Sequence, residues 1–236
     1  MTKFWLLSIG LLVSLLVVSC SDDNYNYPPV RQDFLTVISG ADGYLQTIVP
    51  DKGESLPVSE DRTKSKIMPN SSKRIVSNYE VMSPVGGAQT AKIYGLTAVV
   101  APVPKLATDF PQGVKTAPVD VLSIWMGRGY LNMILNVKTE SSQHLFHFVE
   151  EKVELDGKTK TVTILLYHDD GGGNEYYTKR AYLSIPLDKY YNVSSPVTEK
   201  VIVKFKFWTR DRNGNLYLED KKYTEPGFAY EVPGID

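Results

Sequence analysis

The stretch Val201 to Trp208 alternates without a slip. Val201, Val203, Phe205 and Phe207 fall on one side of an extended chain, and Ile202, Lys204, Lys206 and Trp208 fall on the other. A two-residue period belongs to a pleated strand with one buried face. It recurs along the chain, whereas no long segment carries apolar residues at i, i+3, i+4 and i+7 between sensible caps. The sequence therefore predicts an all-β protein. Its 15 tyrosines, with Val, Ile and Thr throughout, suit half-buried strands better than helices.

Two groups of strands are expected. In the first, Phe34–Ile38 and Tyr44–Val49 are separated by Ser39-Gly40-Ala41-Asp42-Gly43. A short strand begins at Leu56–Val58, before a polar stretch from Ser59 to Lys66. Lys73–Met82 and Thr90–Val100 flank the break at Ser83-Pro84-Val85-Gly86-Gly87. Five short strands are the number expected of a small OB-like barrel. From Ala101 to Pro118 periodicity fades among Pro102, Pro104, Pro111, Gly113 and Pro118, which places a domain boundary there. The second group holds about seven strands. Val121–Trp125 and Tyr130–Val137 flank Gly127-Arg128-Gly129, and Leu131, Met133, Leu135 and Val137 share a face. Leu145–Leu155 and Lys160–Tyr167 are joined by Asp156-Gly157, a strong hairpin signal. Tyr176–Ile185, Lys200–Trp208 and Leu216–Tyr223 follow, with Asn213-Gly214 turning the last pair. This spacing predicts an immunoglobulin-like β-sandwich. The organisation expected is residues 1–19 a signal peptide, 20–30 a tether, 31–108 the barrel and 109–236 the sandwich.

The amino terminus specifies an address. Lys3 precedes a run from Phe4 to Val18 broken only by Ser8, Gly10 and Ser14, which reads as an export signal too short to span a bilayer comfortably. The run ends in Val17-Val18-Ser19-Cys20, which resembles the bacterial lipobox, whose cysteine becomes the acylated first residue of the mature chain. Cys20 is the sole cysteine, so no intrachain disulfide competes for its sulfur. Acylation at Cys20 would anchor the protein to a membrane. The polar residues that follow, through Pro28-Pro29, cannot build a core and read as a tether. Ser21-Asp22-Asp23 looks like the acidic export signal of Bacteroidetes surface lipoproteins, and the location expected is the outer membrane, surface-exposed. Removing residues 1–19 takes one lysine and no acid, moving the formal charge from −1 to −2. That charge lacks the basic footprint of a nucleic-acid binder.

Candidate sites are few. His144 and His147 have metal-like spacing, but an offset of three in a strand puts them on opposite faces, and no mature-domain cysteine completes a zinc site. They read as structural. His168-Asp169-Asp170, with Asn174 and Glu175 around a glycine run, offers oxygens for calcium, but the spacing departs from an EF-hand and a solvated hairpin tip explains it. Trp208, an aromatic on a basic strand with Lys204 and Lys206, could stack on a sugar or base; an amphipathic sandwich strand is the preferred reading. Nucleophile elbow, Walker loop, dinucleotide fingerprint and H-E-x-x-H are all missing from the sequence. No catalytic, cofactor or metal residue is therefore assigned, and the sole modified residue expected is Cys20.

The lipobox followed by Ser-Asp-Asp, a five-strand first domain, and a second β-domain containing Gly129-Tyr130-Leu131-Asn132 and His144-Leu145-Phe146 together resemble the NigD-like lipoproteins of Bacteroidetes. The resemblance covers the mature chain. It implies an N-terminal OB domain, a C-terminal β-sandwich and an envelope location, with an immunity or accessory role in a bacteriocin-type system. The function expected is non-enzymatic binding of a protein partner. The alternatives are a glycan-binding surface lipoprotein and a hydrolase with a spatially assembled site.

Overall fold

Every extended segment anticipated between residues 31 and 223 lies on a strand of the protein, seen here in a computed structural model that describes residues 28–140, 143–192 and 199–233. The signal peptide, Cys20 and most of the tether lie outside the described residues.

The first domain is a closed barrel of β1 (Arg31–Ser39), β2 (Leu45–Pro50), β3 (Leu56–Asp61), β4 (Ser72–Met82) and β5 (Thr90–Ala98), ordered β1-β2-β3-β5-β4. All neighbours are antiparallel except β3 with β5. Leu35, Val37, Ile48, Ile75, Tyr79 and Ile93 fill it. Strand β3 runs on from Val58 through Ser59, Glu60 and Asp61, into the stretch read as polar. Polar residues are tolerated there because those side chains are exposed or half-buried.

The second domain is a sandwich. One sheet runs β13 (Leu216–Glu219), β12 (Lys200–Arg210), β10 (Thr159–Asp169), β9 (Leu145–Asp156) and β6 (Lys105–Leu106), and β14 (Phe228–Glu231) pairs with the other half of β12. The other sheet is β11 (Tyr177–Pro186), β8 (Tyr130–Thr139) and β7 (Asp120–Gly127). The Asp156-Gly157 turn joins β9 to β10 with Gly157 at a φ of +57°, as a tight hairpin of that composition requires. Three differences from the expected strands follow from local chemistry. Leu216–Tyr223 stops at Glu219, whose carboxylate accepts the Lys221 and Lys222 amides and closes a turn. Strand β14, not anticipated, follows that turn. Lys105–Leu106, inside the stretch assigned to the first domain, pairs with β9, so two residues flanked by prolines join the edge of the second domain's sheet.

Between the sheets lie Leu131, Met133, Leu135 and Val137 of β8 with Val201, Val203, Phe205 and Phe207 of β12, all at most 3% exposed. The amphipathic-strand reading of Val201–Trp208 therefore holds, with Lys206 paired to Glu151 at 2.9 Å on the outer face. At about 25 cal/mol per Å² of apolar area, such fully buried side chains supply the main stabilisation of the domain.

Strand β8 is apolar on its second face too, and this positions the candidate site. Tyr130, Asn132 and Ile134 point away from the sandwich core toward the barrel. Phe34 and Val76 of the barrel's outer surface pack there with Val99, Ala101, Trp125, Ile134 and Tyr182. The three-stranded sheet is thus a middle layer. The linker is fastened to it, with the Val100 amide bonded to the Tyr182 carbonyl and the Ser184 amide to the Val100 carbonyl.

Candidate functional site

The two domains meet around a buried ionic network. On β4, Ile75 points into the barrel, so Arg74 must point out of it, toward the sandwich. Its Nη2 donates to both oxygens of Asp51, at 2.5 and 2.6 Å, and to Asn132 Oδ1 at 3.0 Å. Asn132 Nδ2 donates to Asp51 Oδ2 at 2.7 Å, and Ser184 Oγ donates to Asn132 Oδ1 at 2.7 Å. The guanidinium lies 4.3 Å from the Tyr130 ring centroid, within cation–π range. Asp51 follows β2, Arg74 is on β4, and Asn132 and Ser184 are on β8 and β11, so the network ties the barrel to the middle sheet. Side-chain exposure is 3% for Arg74 and 11% for Asp51. A charge pair this deep is supported by the bonds that Asn132 and Ser184 add around it, although the buried Arg74 Nε finds no hydrogen-bond partner among the described residues.

Gly127 is part of the same construction. A Cβ there would sit 2.1 Å from Asp51 Oδ2 and 2.5 Å from Asn132 Nδ2, so the network needs glycine at the end of β7.

Beside the network a cleft of about 510 Å³ opens between the domains. Phe34, Val76, Trp125, Ile134 and Tyr182 form its apolar wall, and Arg31, Asp33, Asp51 and Lys52 line its polar side. Trp125 meets Phe34 edge-to-face with centroids 5.0 Å apart. The Tyr79 hydroxyl donates to Asp33 Oδ2 at 3.0 Å; burial and that carboxylate push the phenol up to about 12, so it stays protonated at neutral pH. A cleft of this size at a domain junction, apolar with a few placed polar groups, is a typical binding site.

The histidines are brought together differently from their spacing in sequence. His144 and His147 do not converge: His147 Nδ1 accepts the Phe148 amide at 2.9 Å and its ring abuts Phe110, while His144 lies against Phe146. His144 instead meets His168, with Nδ1 and Nε2 2.8 Å apart. His168 Nδ1 donates to the Ala117 carbonyl at 3.0 Å, which leaves its Nε2 as the acceptor for the His144 Nδ1–H. Burial holds all three histidines below the ordinary range, so each is neutral at pH 7. The loop acids are occupied by turn chemistry, Asp169 taking the Gly171 amide and Asp170 the Gly172 amide, each at 3.0 Å. Among the described residues no three His, Cys, Asp or Glu side chains are grouped to hold a metal ion.

No sequence motif marks Asp51, Arg74, Asn132 or Ser184. The available signal was β8 itself, where Tyr130 and Ile134 make the face opposite Leu131 and Met133 apolar as well, as in a strand covered on both sides.

A NigD-like N-terminal OB domain matches residues 34–99, and a NigD-like C-terminal β-sandwich domain matches residues 102–216. A NigD-like immunity protein from Bacteroides caccae, known from a crystal structure, is 49% identical, with a TM-score of 0.75 over 89% of this chain and all of that one. The chain belongs to the NigD-like family. A Bacteroides vulgatus protein of unknown function shares the fold at 20% identity, with a TM-score of 0.57 over 88% of this chain and 96% of its own. No curated protein matches the chain.

Proposed function

We propose that this NigD-like protein is an envelope lipoprotein, acylated at Cys20 and displayed on the outer membrane, that binds a protein partner without catalysis in an immunity-type role. The observation that carries this reading is the 49% identity, over the whole of its length, to the Bacteroides caccae NigD-like immunity protein. The sequence Val17-Val18-Ser19-Cys20 supports the anchor and Ser21-Asp22-Asp23 the outward orientation. A partner-binding role also suits the junction, where a buried ion pair and a fastened linker hold two β-domains around an apolar cleft. The glycan alternative has less behind it, because the exposed tyrosines Tyr44, Tyr177 and Tyr217 sit just before β2, on β11 and on β13, and no ring contact joins them among the described residues.

The test pairs location with protection. Cells carrying the protein should retain it in the membrane fraction, lose it to protease shaving, and survive bacteriocin-containing supernatants of related strains better than a deletion mutant. Cys20→Ser should release the protein and abolish the advantage. Equal survival of deletion mutant and parent across such supernatants would refute the immunity role; unchanged membrane retention of the Cys20→Ser protein would refute the anchor.

A further inference from the structure

The barrel is closed, yet among the described residues one stretch of its first strand lacks a neighbour on one side. Strand β1 pairs with β4 from Arg31 to Ile38, but β2 covers only Leu35 to Ser39. The next partner of β1 would be Asp51, opposite Phe34. Asp51 instead leaves the sheet to bond Arg74 and Asn132. In an antiparallel ladder alternate residues direct their N–H and C=O groups to opposite neighbours. Among the described residues nothing pairs with Arg31–Phe34 on the side that β2 abandons, which leaves a strand edge there.

That edge lies in the cleft, which Arg31, Gln32, Asp33 and Phe34 all line. Across it stand Trp125 and Met126 of β7, itself the edge strand of its sheet. A second, shallower hollow of about 130 Å³ shares Arg31, Pro50, Lys52 and Tyr79 with the cleft and extends toward Leu56 and Gln89. Through these shared residues the two hollows form one groove beside β1. Within it Asp51 is paired with Arg74 and Asp33 accepts the Tyr79 hydroxyl, whereas the cations Arg31 and Lys52, like Glu54 in the second hollow, make no ion pair among the described residues.

We infer that this groove binds an extended peptide segment of a partner protein by strand addition to β1 at Arg31–Phe34. An apolar side chain of the peptide enters the Phe34–Trp125–Tyr182 wall, and a flanking carboxylate meets Arg31 and Lys52. Strand addition supplies affinity through main-chain bonds and specificity through alternate side chains. A compact apolar ligand would fill the wall but leave the strand edge bare. The inference rests on the protein-binding role proposed above and names the chemistry of its partner.

The experiment uses the full chain purified in detergent and a displayed library of random linear peptides, and it requires neither bacteriocin nor cells. Its failure is thus distinguishable from a failure of the immunity role. Enriched peptides should carry an apolar residue flanked by Asp or Glu, alter Trp125 emission, and slow amide exchange at residues 31–34. N-methylation of the best peptide should weaken binding about tenfold at alternate positions and little at those between, since each methyl removes one main-chain bond or none. Lys52→Glu, on an exposed turn, should weaken it about threefold to fivefold, and Trp125→Leu about tenfold or more. A selection without enrichment, enriched peptides indifferent to both variants, or an N-methyl scan without alternation would overturn the inference. Slowed exchange at residues 31–34 produced only by a glycan probe would overturn it in favour of a sugar site. The same would hold if slow exchange at those amides, present without peptide, vanished on deleting residues 21–27, which would give the groove to the chain itself.

Discussion

Replacing Asp51 by Ala removes the anionic half of the junction and leaves the Arg74 side chain, only 3% exposed, with Asn132 Oδ1 at 3.0 Å, Thr36 Oγ1 at 3.5 Å and the Tyr130 and Phe34 rings as partners. None of these neutralises the charge. Orphaning a buried charge in this way costs about 3–5 kcal/mol. For a protein of this length that corresponds to a fall in Tm of roughly 6–20 °C. The loss is asymmetric. Arg74→Met leaves the Asp51 carboxylate at the lip of the cleft, still bonded by Asn132 Nδ2 at 2.7 Å and near solvent, so it should cost less, about 1–3 kcal/mol. The double variant should be more stable than Asp51→Ala alone, because no unpaired charge remains inside. Urea unfolding followed by far-ultraviolet circular dichroism and by tryptophan emission, to which Trp125 at the junction contributes, measures all four proteins at comparable m-values. A loss below about 1 kcal/mol for Asp51→Ala, or a double variant weaker than that single one, would refute the assignment of this pair as the electrostatic tie between the domains.

Two further outcomes follow from the same geometry. Gly127→Ala should destabilise by about 1–3 kcal/mol, since its Cβ would meet Asp51 and Asn132 at 2.1 and 2.5 Å, and the loss should shrink in the Asp51→Ala background; additivity of the two in thermal melts would contradict the clash. The histidines set a pH dependence. Burial depresses the pKa of His144, His147 and His168 in the folded state, so between those values and the ordinary 6.5 the unfolded chain binds more protons. Stability should therefore be full above pH 6.5 and fall as the pH drops below it, with a slope of at most about 1.4 kcal/mol per pH unit for each histidine. His168→Phe should flatten part of that slope, and an unchanged profile in this variant would show that the His144–His168 pair does not carry it.

Local pattern along the chain was enough to settle the all-β class and the order barrel then sandwich. Two-residue alternation leaves a chain little choice but strands, as the buried faces of β8 and β12 show. Turn chemistry at Asp156-Gly157 and Asn213-Gly214 fixed which strands became hairpins, because only a few residues accept the required backbone angles. The NigD-like resemblance was likewise legible, in short stretches scattered over the mature chain. The pairing of His144 with His168, 24 residues apart, was not, because spacing along one strand says nothing about the strand beside it. Nor was the junction. Asp51, Arg74, Asn132 and Ser184 are unremarkable polar residues on four separate segments. They became a buried network, with a bare strand edge beside it, only when the barrel docked on the middle sheet. Local pattern specifies which side of a strand an atom faces; what lies opposite is decided by packing between segments that the sequence keeps far apart.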